Sequence, residues 1–177
     1  MVTIYWLLKY LLFPGTLLKS FLEHLFCRLY KVPIEFALYM QRNYLCGHME
    51  HLLVKEKKGS FAICFGPHII MLVLGLLAAF PAGVEFFYLG GFNWFAVVCF
   101  YFALSFLFNA FPLIEDAYVM WDHLYGEEAD ASVAAKILCA IPACIMFAGA
   151  WLEQYSLTLL TALATTAVLP YALALFF

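Results

Sequence analysis

Four long apolar runs constrain this chain more than any other feature of its sequence. They cover residues 61–84, 92–113, 132–152 and 155–177 and contain few charges. A helix needs about 20 apolar residues to cross the hydrocarbon core of a bilayer, and each run is about that long. Apolar residues make up 67% of the sequence and charged residues only 12%, far from the balance of a soluble domain. The sequence therefore predicts an all-α integral membrane protein with the lipid bilayer as its surroundings.

A fifth apolar run, residues 2–31, is interrupted by Pro14-Gly15. Proline removes a backbone donor and kinks or breaks a helix, so neighbouring helices must satisfy the freed carbonyl groups. Small residues let helices approach closely in lipid. We therefore expect Gly15 and Gly66 to mark the contact between this run and the helix of 61–84. The run either spans the membrane or is re-entrant, which predicts a polytopic transmembrane bundle of about five hydrophobic helices.

Two connectors separate the runs within a single transmembrane domain, residues 1–177. Six of the nine Lys and Arg residues lie between positions 28 and 58. Short basic loops stay on the cytoplasmic side of a membrane. We therefore expect residues 28–60 to be cytoplasmic, with 32–60 forming an interfacial connector. Residues 114–131 are predicted to form an acidic amphipathic connector.

A group of polar residues lies inside the first apolar run: Lys19, Ser20, Glu23, His24 and Cys27. Ionisable residues in a membrane segment are a functional-site hypothesis by default. Lys19 and Glu23 are four residues apart, as are Ser20 and His24, so each pair shares one helix face. This face either belongs to a functional site in the bundle interior or holds a Lys19–Glu23 ion pair that only fixes the register of the helix.

Two further groups of polar residues follow. His48 and His51 are three residues apart in Gly47-His48-Met49-Glu50-His51, a spacing that suits two metal ligands on one helical turn. They could equally be a pair of interfacial histidines. Asp116 and His123 are seven residues apart, which places them on one face of a helix that starts after Pro112. That face is either part of a site or simply solvated.

In order and spacing, these segments resemble the site-2-protease-like membrane metalloproteases, the M50-related zincin-type peptidases. The matching stretches are 14–18, 47–51, 65–67 and 111–117. That family opens with a Pro-Gly-Thr-x-x-His-Glu-x-x-His helix, and its third core helix ends in a Phe-Pro-Ser-x-x-Asp-Ala segment that supplies an acidic ligand. The resemblance implies a three-helix core in the membrane of a prokaryotic cell, with the site reached from the cytoplasmic half.

The residues at the family's site positions differ from those of an active protease. Aligned on Pro-Gly-Thr, the first ligand position holds Lys19, the catalytic acid position Ser20 and the second ligand position Glu23; only Asp116 is kept. Catalytic zinc uses three N or O ligands and a water. The resemblance therefore implies that the Lys19 ammonium replaces the metal and pairs with Glu23 and Asp116. We expect a pseudoprotease without a cofactor.

Such a protein would serve as a scaffold or binding subunit for another membrane protein or a peptide, or would form a homo-oligomer; no nucleic-acid partner is expected. The alternative is an active intramembrane zinc metalloprotease with a shifted ligand set, Glu23, His24, His48, His51 and Asp116. A weaker alternative is a small transporter or channel subunit. The first two differ in whether Lys19 or a metal occupies the polar cavity.

Overall fold

The chain is helical throughout most of its length. The computed structural model describes residues 2–54, 56–127, 129 and 131–175. Within them lie the helices α1 (Val2–Leu11), α2 (Phe13–Leu29), α3 (Lys57–Gly83), α4 (Trp94–Phe108), α5 (Ile114–Tyr125), α6 (Val133–Gln154) and α7 (Thr158–Ala174). A π-helical turn, Val84–Tyr88, extends α3, and two short strands, β1 (Ile34–Phe36) and β2 (Glu50–His51), pair antiparallel. The predicted helical class is confirmed.

Two helical segments are long and apolar enough to cross a membrane, Lys57–Tyr88 and Val133–Gln154. At a rise of 1.5 Å per residue, α6 is about 33 Å long, close to the thickness of a bilayer core. Helices α4 and α7 are apolar but have only 15 and 17 residues. Helix length thus supports two of the five predicted spans. The run 92–113 is shortened because Asn109 ends α4, and its Nδ2 donates to the Ser105 carbonyl at 2.7 Å.

The predicted break in the first helical run lies at Leu12, two residues before Pro14. Pro14 falls in the first turn of α2, where a missing N–H costs nothing. The backbone at the break finds hydrogen-bond partners on α4. The Leu11 carbonyl accepts from the Tyr101 hydroxyl at 3.0 Å, and the Leu12 carbonyl, which also accepts from the Thr16 N–H, accepts from Ser105 Oγ at 2.8 Å. As predicted, neighbouring helices satisfy the backbone at the break.

Gly15 contacts α4, so the predicted contact between Gly15 and the helix of 61–84 is wrong. A Cβ atom added to Gly15 would lie 2.0 Å from the Ser105 carbonyl oxygen. The Gly15 N–H also donates to Ser105 Oγ at 2.7 Å. The other half of the prediction is confirmed, since a Cβ atom at Gly66 of α3 would lie 2.2 Å from Phe26 Cζ of α2.

Small side chains fill the space where α3, α4 and α7 meet. Ala79, Ala103 and Ala162 are buried together there, which allows the close backbone approach typical of helices in lipid. A second cluster joins α3 to α5 and α6 and includes Met120 and Met146. Helix α3 therefore contributes to both clusters, one shared with α4 and α7 and the other with α5 and α6.

The connector between α2 and α3 folds over one end of the bundle. It ends earlier than the predicted 32–60, because α3 already begins at Lys57. Its two strands form a short ribbon in which Ile34 pairs with His51. At Gly47 the backbone has φ of +86° and packs against Thr16, where an added Cβ would lie 3.0 Å from the threonine methyl. This glycine turn directs the next residue, His48, into the bundle.

Candidate functional site

Five ionisable side chains are buried together inside the bundle. Lys9, Lys19, Glu23, His48 and Glu153 have relative exposures between 0% and 2%. They come from α1, α2, the connector and α6, so the fold gathers them from across the whole chain. Burying a charge is costly unless it is paired and hydrogen-bonded. This group, called the buried charge cluster below, is the candidate functional site.

Glu153 of α6 receives two donors on one oxygen. Lys9 Nζ forms an ion pair with Glu153 Oε1, and His48 Nε2 lies 3.1 Å from the same atom. Lys9 Nζ also donates to Asn109 Oδ1 at 2.8 Å. The ammonium of Lys9 is thereby held between α4 and α6, although Lys9 lies in an otherwise apolar helix.

Glu23 of α2 is the second acceptor in the cluster. Its Oε1 lies 3.3 Å from Lys19 Nζ and 3.0 Å from His48 Nδ1, and its Oε2 accepts from the Met49 N–H at 2.9 Å. The predicted Lys19–Glu23 pair is confirmed. Among the described residues Lys19 Nζ has no hydrogen-bond acceptor, so its contact with Glu23 is an ion pair alone.

His48 bridges the two carboxylates through its two ring nitrogens. An ionised carboxylate can only accept a hydrogen bond, so both nitrogens facing Glu23 and Glu153 should carry hydrogen. Burial works to lower the pKa of His48, but the charge of Glu23 and the hydrogen bonds to both carboxylates raise it above its ordinary value. With His48 protonated, three cations face two anions in the cluster.

His51 and Asp116 form a separate pair. His51 Nε2 lies 3.3 Å from Asp116 Oδ1, and His51 Nδ1 donates to the Leu52 carbonyl at 3.0 Å. No ion pair in the described part of the chain joins Asp116 to Lys19, so the predicted pairing of the Lys19 ammonium with Asp116 is wrong. Histidines three residues apart share a face only on a helix. Here the segment is extended at β2, so His48 and His51 reach different partners.

The His51–Asp116 pair should make stability depend on pH. Burial works to lower the pKa of His51, but the hydrogen bond and charge of Asp116 outweigh it and raise the pKa to about 9. Because the pKa of His51 is higher in the folded state than in the unfolded state, where it is about 6.5, the pair stabilises the fold fully below pH 6.5. This stabilisation is lost as the pH rises through 9. We expect a loss of roughly 1–3 kcal/mol across this window.

Denaturant titrations of the parent and of Asp116→Asn at several pH values measure this loss. The parent should be the more stable near pH 6, and the two curves should converge above pH 9. A difference between parent and variant that stays constant from pH 6 to 10 would contradict the assignment.

The remaining predicted site residues lie outside the buried charge cluster's ion pairs. Ser20 Oγ donates to the carbonyl groups of Thr16 at 3.1 Å and Tyr39 at 3.2 Å. His24 Nδ1 lies 3.3 Å from the Tyr39 hydroxyl. His123 Nδ1 is buried without a hydrogen-bond partner among the described residues. None of these contacts brings Ser20 or His24 to a carboxylate.

The alternative metal set is divided among three places. Glu23 contacts His48, His51 contacts Asp116, and His24 contacts Tyr39. Among the residues that the structure describes, no three His, Cys, Asp or Glu side chains are grouped so that they could hold a metal ion.

Sequence reasoning missed two of the five residues of the buried charge cluster. Lys9 and Glu153 are not among the predicted site residues, yet they form an ion pair. The signal was available, because each of the two is an ionisable residue within or at the end of an apolar run. Their partnership spans 144 positions and has no signature in local spacing.

Comparison of the chain with protein-family models, with curated proteins and with solved structures found no match. The resemblance to site-2-protease-like proteins therefore stays a prediction.

Proposed function

We propose that this chain is an integral membrane protein. The distribution of its side chains supports this placement, because ionisable groups are buried and large apolar groups face outward. On α6, the side chains of Ile137, Leu138 and Ile141 are between 72% and 79% exposed. Water-exposed apolar patches of this kind are rare on soluble monomers, whereas lipid solvates them. In this placement α3 and α6 cross the bilayer, and the basic connector lies on the cytoplasmic side.

We further propose that the protein is a non-catalytic relative of the site-2 proteases. The observation that carries this proposal is the fully buried Lys19, whose ammonium lies 3.3 Å from Glu23 Oε1. In the family alignment these two residues stand at the two helix positions that would bind zinc. An ammonium there supplies positive charge but no Lewis acid, so it cannot activate a water for hydrolysis.

In this proposal the fold serves binding. Its partner would be another membrane protein or a peptide, for which the bundle acts as a scaffold. The ion pairs of the buried charge cluster keep the interior neutralised enough to persist in lipid, where unpaired charge is expensive.

One contact favours the alternative of a zinc protease with a shifted ligand set. Glu23 and His48 already lie 3.0 Å apart and could supply an oxygen and a nitrogen ligand. A third ligand would have to replace Lys19, since His24 and His51 are held by Tyr39 and Asp116.

One purification tests both proposals. The protein should stay in membranes washed with alkaline carbonate and, once purified in detergent with zinc added and excess removed, should hold far less than one zinc per chain. Lys19→His is the matched variant. It removes the cation and offers an imidazole nitrogen as a third ligand beside Glu23 and His48, so it should gain zinc, up to about one per chain.

Three results would count against the proposals. Release of the protein by carbonate would contradict the membrane placement. Stoichiometric zinc in the parent would favour the protease alternative. A folded Lys19→His variant with no more zinc than the parent would show that Lys19 is not what excludes the metal.

A further inference from the structure

A cavity of about 170 Å³ lies beside the buried charge cluster, between the connector, α1, α5 and α6. His48 and Glu153 form its buried side, while Tyr44 and Tyr155, which are 54% and 43% exposed, stand at its outer side. The rest of the lining is mostly apolar. A cavity of about 150 Å³ lined by apolar side chains is large enough to bind benzene, so this one has room for a single ring.

One polar atom at this cavity lacks a partner. Glu153 Oε1 receives both Lys9 and His48, but Glu153 Oε2 is buried and has no hydrogen-bond partner among the described residues. A buried acceptor without a donor is costly and calls for an explanation. Because Glu153 lines the cavity, a molecule bound there can supply the missing donor.

The charges around Glu153 restrict what kind of donor fits. Lys9 and His48 already place two hydrogen-bond donors on this single carboxylate, and Lys9 is a full cation. A cationic ligand would add a further positive charge to a cluster in which, with His48 protonated, cations already outnumber anions. An anionic ligand would face Oε2, which can only accept. A neutral hydroxyl or amide N–H meets neither difficulty.

We propose that this cavity binds a small neutral molecule with an apolar body about the size of a benzene ring. Its hydroxyl or amide group would donate a hydrogen bond to Glu153 Oε2 while the apolar body lies against Leu113, Ile114 and Ala150. Small-molecule sites commonly combine apolar walls with a few placed polar groups. This ligand site goes beyond the scaffold role and does not depend on whether Lys19 replaces a metal.

Four probes that share a benzene ring test the proposal by isothermal titration calorimetry on the full chain in detergent, with empty micelles subtracted. They are phenol, toluene, benzylammonium and benzoate. Phenol should bind at least about 10-fold more tightly than toluene, because it alone pairs the carboxylate oxygen without adding charge. Benzylammonium and benzoate should bind more weakly than phenol.

Two variants that fill the cavity without replacing a residue of the buried charge cluster locate the binding. Ala150→Leu should weaken phenol binding by at least about 10-fold, as side-chain volume replaces the ligand. Leu113→Trp provides the same test if Ala150→Leu does not fold. Leu77→Trp is the matched control, since Leu77 is an exposed residue of α3 outside the cavity, and it should bind phenol as the parent does.

Each other outcome overturns the proposal. Equal binding of phenol and toluene would mean that Glu153 Oε2 does not select a donor. Tightest binding of benzylammonium would make the site a cation site. Phenol binding that survives both cavity-filling variants would place the ligand elsewhere. No binding of any probe would leave water as the partner of Glu153.

Discussion

Lys9→Met is expected to lower the free energy of unfolding by about 3–5 kcal/mol. The Lys9 ammonium is fully buried, pairs with Glu153 and donates to Asn109 Oδ1 at 2.8 Å. Methionine fills similar space without the charge. Among the described residues, the variant would leave the buried Glu153 with His48 as its one remaining donor. An uncompensated buried charge costs more than the ion pair itself contributes. Denaturant titration in detergent micelles measures the change.

A second substitution should recover part of this loss. In Lys9→Met with Glu153→Gln, the orphaned charge is removed, while the amide oxygen still accepts from His48. The double variant should therefore be more stable than Lys9→Met alone. Lys58→Met is the matched control because Lys58 is exposed, and it should change stability by no more than about 0.5 kcal/mol. Equal stability of Lys9→Met and Lys58→Met would contradict the assigned role of Lys9.

The structure also predicts which of Lys9 and Lys19 contributes more to stability. Lys19→Met should cost less than Lys9→Met, since Glu23 keeps the His48 ring and the Met49 N–H as donors. Lys19 Nζ makes no hydrogen bond among the described residues, so fewer contacts are lost with it.

Gly15→Ala is expected to destabilise the fold by about 3 kcal/mol or more, the upper range for overpacking. The new Cβ atom would lie 2.0 Å from the Ser105 carbonyl oxygen and 2.5 Å from its carbon. These are backbone atoms, so α2 and α4 must move apart as rigid helices. That movement would also stretch the hydrogen bonds from Gly15 N–H to Ser105 Oγ and from Ser105 Oγ to the Leu12 carbonyl.

Gly59→Ala provides the control for helix propensity, which favours alanine over glycine by about 1 kcal/mol. At Gly59 of α3 the nearest atom to an added Cβ is a methyl group of Val54 at 3.0 Å, and a side chain can shift. This variant should stay within about 1 kcal/mol of the parent. If Gly15→Ala were as stable to heat and denaturant as Gly59→Ala, the close contact between Gly15 and the Ser105 backbone would be contradicted.

The sequence predicted those features that depend only on a short continuous segment of the chain. Runs of apolar residues located the helices, because period and length are properties of a continuous segment. The Lys19–Glu23 pair was predicted for the same reason, since spacing of four places both on one helix face. The break near Pro14 was predicted from the chemistry of one residue, and the structure displaced it only to Leu12.

Contacts set by tertiary packing were not predictable. His48 enters the bundle because Gly47 turns the connector with φ of +86°, and spacing alone suggested a helical histidine pair instead. Gly15 was assigned to the wrong neighbour because a small residue predicts a close approach but not which helix approaches. The partner of Lys9 lies on α6, and no rule of spacing links residues that far apart.

The Lys9–Glu153 pair has a consequence for how the protein is made. Ribosomes add about 5–20 residues per second, so the carboxylate that Lys9 needs emerges roughly 7–30 s after the lysine itself. During that interval α1 carries a charge that its final surroundings cannot yet neutralise. We therefore expect that α1 does not settle into the bundle in the order of its synthesis, and that its closure onto the other helices is a late step of assembly.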